Sequence, residues 1–225
     1  MAERDVAVYG EPLFVAAVAD ALDILALEPT PAWLVELPKE YRRRNVRLMR
    51  LDEARAAIRS RTFVKPAVDK CFAARVYESA ADLPPIDVWP EHTLVYVSDV
   101  VAWDVEWRCF VLNREVVTAS PYWRQGRLAR LESGEWESSD EEEREALAFA
   151  ARVLADSRVS LPPAVVLDVG QLADGRWAVI EANSAWGAGL YGCDPAKILP
   201  VVRRGCVKVT AATAEDRKWI VERSG

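Results

Sequence analysis

A single histidine, His92, and four cysteines without CxxC or Cys/His spacing leave this 225-residue chain without the usual ligands of a zinc site or a His-based catalytic dyad. Cys71, Cys109, Cys193 and Cys206 are also too few to staple a chain of this length, so they read as reduced core or pocket-lining thiols. No window approaches the roughly 18 consecutive apolar residues of a membrane-spanning helix. The opening MAERDVAVYG passes directly from charges into an apolar run and lacks the basic and hydrophobic regions of a signal peptide, so cytoplasmic residence is the expectation. Positive charge is not in excess either. The 29 Lys and Arg against 35 Asp and Glu give a net −6, which argues against a general nucleic-acid binder.

What is present describes a folded globular protein: 51% hydrophobic residues, 28% charged residues and 9 Trp, on a chain long enough for one large domain or two modest ones. The first 60 residues read as a compact β-α-β-β-α unit. Its strands are expected at 5–9, 32–36 and 46–51, and its helices at 13–27 and 52–60. The basic run Arg42-Arg43-Arg44 within it reads as a solvated face or a contact for an acidic substrate or nucleic acid. Strands are then expected at 62–65, 93–97, 105–112 and 115–120, on either side of a Pro-containing linker at 83–90. The polar, Gly-containing stretch 125–137 reads as a mobile loop. A helix over 138–158 carries Ser139 and Glu142 at capping-box spacing, and Asp194-Pro195 marks the start of another that stops at Gly205. Strands and helices in this mixed order point to an α+β architecture.

The richest stretch is 165–192, VVLDVGQLADGRWAVIEANSAWGAGLYG. Two short β-branched runs flank an Asp-Gly turn, the pattern of an antiparallel hairpin, and they bring Asp168, Glu181 and Asn183 to neighbouring strand ends. Carboxylate and amide oxygens are what Mg²⁺ prefers, and Mg²⁺ keeps other positions for water and nucleotide phosphates. By geometry alone a surface hairpin with solvated acids is equally open.

Two further segments complete the pattern. FVKPA, residues 63–67, puts Lys65 at the end of a strand, and VYVSDVVAWDVEWRCFVL, residues 95–112, points Glu106 and Arg108 to one strand face. In this order and spacing the three segments resemble the ATP-grasp superfamily, in particular its small R-two-K clade, over most of residues 60–200. The resemblance implies an ATP-grasp fold of two α+β subdomains enclosing ATP, with a short Rossmann-like unit at 1–60 and an ATP-grasp domain at 61–225, divided into 61–97 and 98–225. It implies Lys65, assisted by Lys70, on the α- and β-phosphates. Adenine would meet the Val97–Val100 hinge through Val97, Ser98 and Val100, and ribose would meet Glu106. Mg²⁺, as two ions with Mn²⁺ a substitute, would bind Asp168, Glu181 and Asn183. Arg108 and Arg124 would contact the transferring phosphoryl group or substrate. Against the family pattern, the loop 66–73 after Lys65 contains no glycine.

Phosphoryl transfer needs just such cations, because its catalysis is mostly positioning and charge stabilisation. Taken singly, Lys65 as a surface lysine, Glu106 with Arg108 as a cross-strand ion pair, and Arg124 as a loop charge stay open. So does core packing against pocket lining for Trp186 and Tyr191. The resemblance implies an ADP-forming ligase that joins a small-molecule or peptide carboxylate to an amine or thiol through an acyl phosphate. A kinase acting on a small-molecule hydroxyl and a non-catalytic nucleotide-binding module are the alternatives, and the oligomeric state is left open.

Overall fold

The computed structural model describes residues 7–68, 71–85 and 87–221. The chain forms two compact units: Pro31–Ala102 is one, and the chain up to Thr30 joins everything from Trp103 onward as the other. In chain order, α1 (Pro12–Leu22) and β1 (Ile24–Ala26) belong to the larger unit. The smaller unit follows with α2 (Trp33–Glu36), α3 (Lys39–Arg42), β2 (Val46–Arg50), α4 (Leu51–Ala57), β3 (Thr62–Pro66), β4 (Arg75–Tyr77) and β5 (Leu94–Ser98). The larger unit resumes with β6 (Trp103–Leu112), β7 (Glu115–Arg124), β8 (Arg127–Leu128), α5 (Asp140–Ala155), β9 (Ala164–Leu172), β10 (Trp177–Asn183), α6 (Pro195–Gly205), β11 (Cys206–Lys208) and α7 (Ala214–Arg217).

The smaller unit is an antiparallel sheet in the order β2-β5-β3-β4. Alternation sends Val64, Val95 and Val97 to one face, where they pack with Leu51, Ala54 and Ile58 of α4. Lys65 and Tyr96, opposite each other in register, therefore lie on the other face.

The larger unit is an antiparallel sheet, β10-β9-β6-β7-β8, with a helix for each face. Trp107 Nε1 and Trp177 Nε1 donate to Glu142 (2.9 Å) and Glu145 (3.1 Å) of α5. On the opposite face Phe110, Val166 and Trp186 pack with Ile198, Val201 and Val202 of α6. Burying each of the larger side chains stabilises this core by about 1.5–3 kcal/mol. The β6–β7 connection turns through Asn113 and Arg114, both left-handed (φ 49° and 69°), as the right-handed strand twist requires of a two-residue turn. Arg114 then reaches the carbonyls of Leu154, Asp156 and Val159, satisfying the C-terminal end of α5.

Several expectations change. The helix expected to run to residue 27 ends at Leu22, because Asp23 turns left-handed (φ 53°) and Ile24–Ala26 pairs with Cys206–Lys208. Residues 32–36 form α2 rather than a strand, an ambiguity built into any short apolar run. Of the strand expected at 5–9, residues 5 and 6 lie outside the described residues, and 7–9 form no regular strand. The division expected at residue 60 falls inside the smaller unit, since β2 and β3 both pair with β5. The stretch 125–137 is not a plain loop. Its β8 pairs with β7, Arg130 bridges Trp136, and Ala129 is fully buried. The capping box at α5 is half formed: the Glu142 N–H donates to Ser139 Oγ at 3.2 Å, while the Glu142 carboxylate turns to Trp107 and Arg124.

Candidate active site

The acids of the hairpin are brought together by an irregularity. Val179 pairs with Val169, so an unbroken antiparallel register would place Ile180 opposite Asp168 and send Glu181 to the other face. A bulge between Val179 and Glu181 moves Glu181 directly opposite Asp168 and turns both Glu181 and Asn183 onto its face. Asp168 stands in the middle of β9, not at a strand end, and is completely buried.

Arg108 meets it from the neighbouring strand, where the two are register partners. Its Nε donates to Asp168 Oδ1 at 2.9 Å and its Nη2 to Oδ2 at 2.7 Å, while Nη1 donates to the Gly189 carbonyl at 3.0 Å. Asn183 Nδ2 bridges the two acids, at 3.1 Å from Asp168 Oδ2 and 3.0 Å from Glu181 Oε1. Burial alone would lower the Arg108 pKa, but the Asp168 charge and hydrogen bonds hold it above the ordinary arginine value. Arg108 is thus the counter-ion of the expected metal acid.

An aromatic layer covers this pair. The Tyr122 and Tyr191 rings stack with centroids 4.9 Å apart, and Arg108 Cζ lies 5.1 Å and 4.9 Å from them. Trp136 meets Tyr191 edge-on at 5.7 Å. Tyr122 O–H donates to Glu106 Oε2 at 2.5 Å. Burial, with the Asp168 and Glu106 charges adding to it, raises the Tyr122 phenol well above the usual tyrosine range, so it stays a donor. The chain around Gly189 is pinned from the N-terminal side, where Tyr9 O–H donates to the Ala188 carbonyl (2.7 Å) and Gly10 N–H to that of Trp186 (2.9 Å). Gly192 is required by packing: a β-carbon there would stand 2.5 Å from Ser120 Oγ and also collide with Trp136.

Trp186 is core, 1% exposed with Nε1 on the Leu27 carbonyl at 2.9 Å; Tyr191 is the exposed member of that pair. Arg124, expected as a phosphoryl contact, is held by Glu142 at 2.8 Å and Glu137 at 3.4 Å, and so ties the β8 hairpin to α5. Lys65, Val97, Ser98 and Val100 belong to the smaller unit. Lys65 is half-buried beside Tyr96, whose O–H donates to the Pro31 carbonyl at 2.7 Å and whose pKa burial raises to about 12. The Val97 side chain is in the core, Ser98 Oγ donates to the Asp99 carbonyl at 3.0 Å, and Val100 is exposed. Lys70 lies outside the described residues.

Among the described residues no three His, Cys, Asp or Glu side chains gather as a metal centre. Two carboxylates and an amide are nevertheless the hard, oxygen-rich set that suits Mg²⁺, which takes few protein ligands. A cation entering here competes with Arg108 for Asp168. Tyr122 and Tyr9 escaped the sequence reading; strand alternation through SPYWR could have put Tyr122 beside the β6 acids, whereas nothing local marks Tyr9.

A family profile described as ATP-grasp domain, R-two-K clade family 2, matches residues 41–201. No curated protein matches the chain. Similar solved structures include ATP-grasp ligase PsnB complexed with minimal precursor, at 19% identity and TM-score 0.42 over 79% of this chain and 56% of that one. Another is the ADP complex of purK, N5-carboxyaminoimidazole ribonucleotide synthetase, at 19% identity and TM-score 0.40 over 62% of this chain and 39% of that one. A third is D-alanine–D-alanine ligase from Bacillus anthracis complexed with ATP, at 12% identity and TM-score 0.44 over 76% and 63%. The matched region spans less than two thirds of each of these proteins.

Proposed function

This chain belongs to the R-two-K clade, family 2, of the ATP-grasp domains, and from that membership we propose that it is an ADP-forming carboxylate ligase dependent on ATP and Mg²⁺. The observation that carries the reading is the convergence of Asp168, Glu181 and Asn183 on one sheet face through the bulge after Val179. That bulge interrupts the ladder and assembles an oxygen donor set. Bulges are common beside active sites for this reason.

In this reading the three side chains hold the cation, and Lys65 in the smaller unit neutralises the α- and β-phosphates. The Val97–Val100 backbone meets the adenine edge and Glu106 accepts from the ribose hydroxyls. Bound Mg²⁺ supplies charge neutralisation across the triphosphate. Arg108 orients Asp168 through its two hydrogen bonds. A substrate carboxylate oxygen attacks the γ-phosphorus and ADP leaves; an amine or thiol then attacks the acyl carbon of the acyl phosphate, and inorganic phosphate departs. The first half turns a poor leaving group on the acyl carbon into a good one, phosphate, which the second half expels, and that is the advantage of splitting the condensation.

The test is a screen of small carboxylates and C-terminal peptides, each paired with amines and thiols, for ADP release that requires both partners, with products identified by mass. ADP release needing only one hydroxyl-bearing substrate, and yielding its phosphate ester, would identify a kinase instead. Absence of any ATP binding would leave the ligase reading without support.

A further inference from the structure

We propose that Tyr122 is a positioning residue that couples the nucleotide acid Glu106 to the cation acid Asp168, an inference that rests on the roles given above to those two acids. In the β6–β7 ladder Glu106 pairs with Trp123 and Trp107 with Pro121, so Tyr122 is the extra residue of a bulge, without a Cα partner on β6. Two residues from Ser120, which pairs with Arg108, Tyr122 keeps the Arg108 face, and the bulge sets two residues of β7 against Glu106. Tyr122 uses both of its ends. Its hydroxyl donates to Glu106 Oε2 at 2.5 Å, and its ring lies 5.1 Å from the Cζ of Arg108, whose guanidinium holds both oxygens of Asp168.

Tyr191 closes the other side of this arrangement. It sits at φ 48°, a left-handed conformation that penalises a β-carbon, on a stretch that elsewhere uses Gly187, Gly189 and Gly192. A glycine would relieve the backbone, so the side chain is what this position supplies: its ring stacks on Tyr122 and lies 4.9 Å from Arg108 Cζ. Removing the Tyr122 hydroxyl therefore takes a hydrogen bond from Glu106, and displacing its ring loosens the guanidinium that orients Asp168.

The experiment is calorimetric titration of ADP, in EDTA and at graded Mg²⁺, into the wild type, Tyr122→Phe, Glu106→Gln, the double variant and Tyr122→Leu. Tyr122→Phe should weaken ADP in EDTA by about tenfold, the scale of one hydrogen bond to a charged group. The double variant should be no weaker than Glu106→Gln alone, because both changes break the same link. The Mg²⁺ concentration that half-maximally tightens ADP should move further with Tyr122→Leu than with Tyr122→Phe. Wild-type ADP affinity in Tyr122→Phe, multiplying effects in the double variant, or a fall in melting temperature with unchanged ADP affinity would each overturn the coupling while the nucleotide site stands. Normal ADP binding by Glu106→Gln would overturn it as well. A wild type that binds no ADP would instead refute the nucleotide-binding reading itself, and this inference with it.

Discussion

Replacing Arg108 by methionine should destabilise the larger unit by about 3–5 kcal/mol, because it strands a carboxylate in a fully buried position. The substitution removes two charge-assisted bonds to Asp168, of 2.9 and 2.7 Å, and the 3.0 Å tie to Gly189. The Asn183 amide at 3.1 Å remains and cannot neutralise the charge. Methionine keeps most of the aliphatic volume, so the loss reports the charge rather than a cavity. For a chain of this size each kcal/mol moves the melting temperature by about 2–4 °C, so the expected fall is about 6–20 °C. Calorimetry, with urea unfolding followed by tryptophan fluorescence, measures it. Arg108→Met combined with Asp168→Asn should recover much of the loss, since removing both members of a buried pair costs less than removing one. Mg²⁺ should partly rescue the single variant by resupplying a cation. A loss below about 1 kcal/mol, the value of an exposed pair, or a double variant no better than the single, would refute the account of Arg108 as a buried counter-ion.

ATP with Mg²⁺ should raise the melting temperature, by an amount equivalent to about 2.7 kcal/mol at a hundredfold excess over Kd, and Glu181→Gln should reduce that rise; equal shifts in both proteins would remove Glu181 from the site. Gly192→Ala should destabilise by about 1–3 kcal/mol, because its β-carbon would meet Trp136 and Ser120; unchanged urea unfolding would show that the aromatic layer yields freely. Burial raises Tyr96 to about 12, above the unfolded value near 10, so its contribution is fully present below about pH 10 and is lost as pH climbs from there toward 12. Tyr96→Phe should flatten that alkaline limb of a stability-against-pH curve, and an unaltered limb would count against the burial account.

Local chemistry was readable where the signals are short-range. The Asp-Gly turn between two β-branched runs announces the β9–β10 hairpin, and Ser139 and Asp194 announce helix starts. These rest on neighbours a few residues apart, whose preferences need no tertiary partner. Short apolar runs without such signals misled: Ile24–Ala26 is a strand because Cys206–Lys208 offers it an edge, and Trp33–Glu36 is a helix.

The site was only half legible for the same reason. That Asp168, Glu181 and Asn183 lie on neighbouring strands could be read from residue type and spacing, but their meeting on one face depends on a bulge that alternation alone denies them. The destiny of each arginine was equally hidden. Arg108 and Arg124 look alike along the chain, yet Arg108 faces the α6 side with Asp168 opposite, whereas Arg124 is drawn to Glu142 on α5. A guanidinium goes to whichever buried carboxylate the sheet register and helix packing bring within reach. Residue type and local order are thus properties of the sequence. Which charges meet, and which side chain is left for a ligand, is decided only when β6, β9 and β10 come together, because Coulomb energy depends on distances that folding creates.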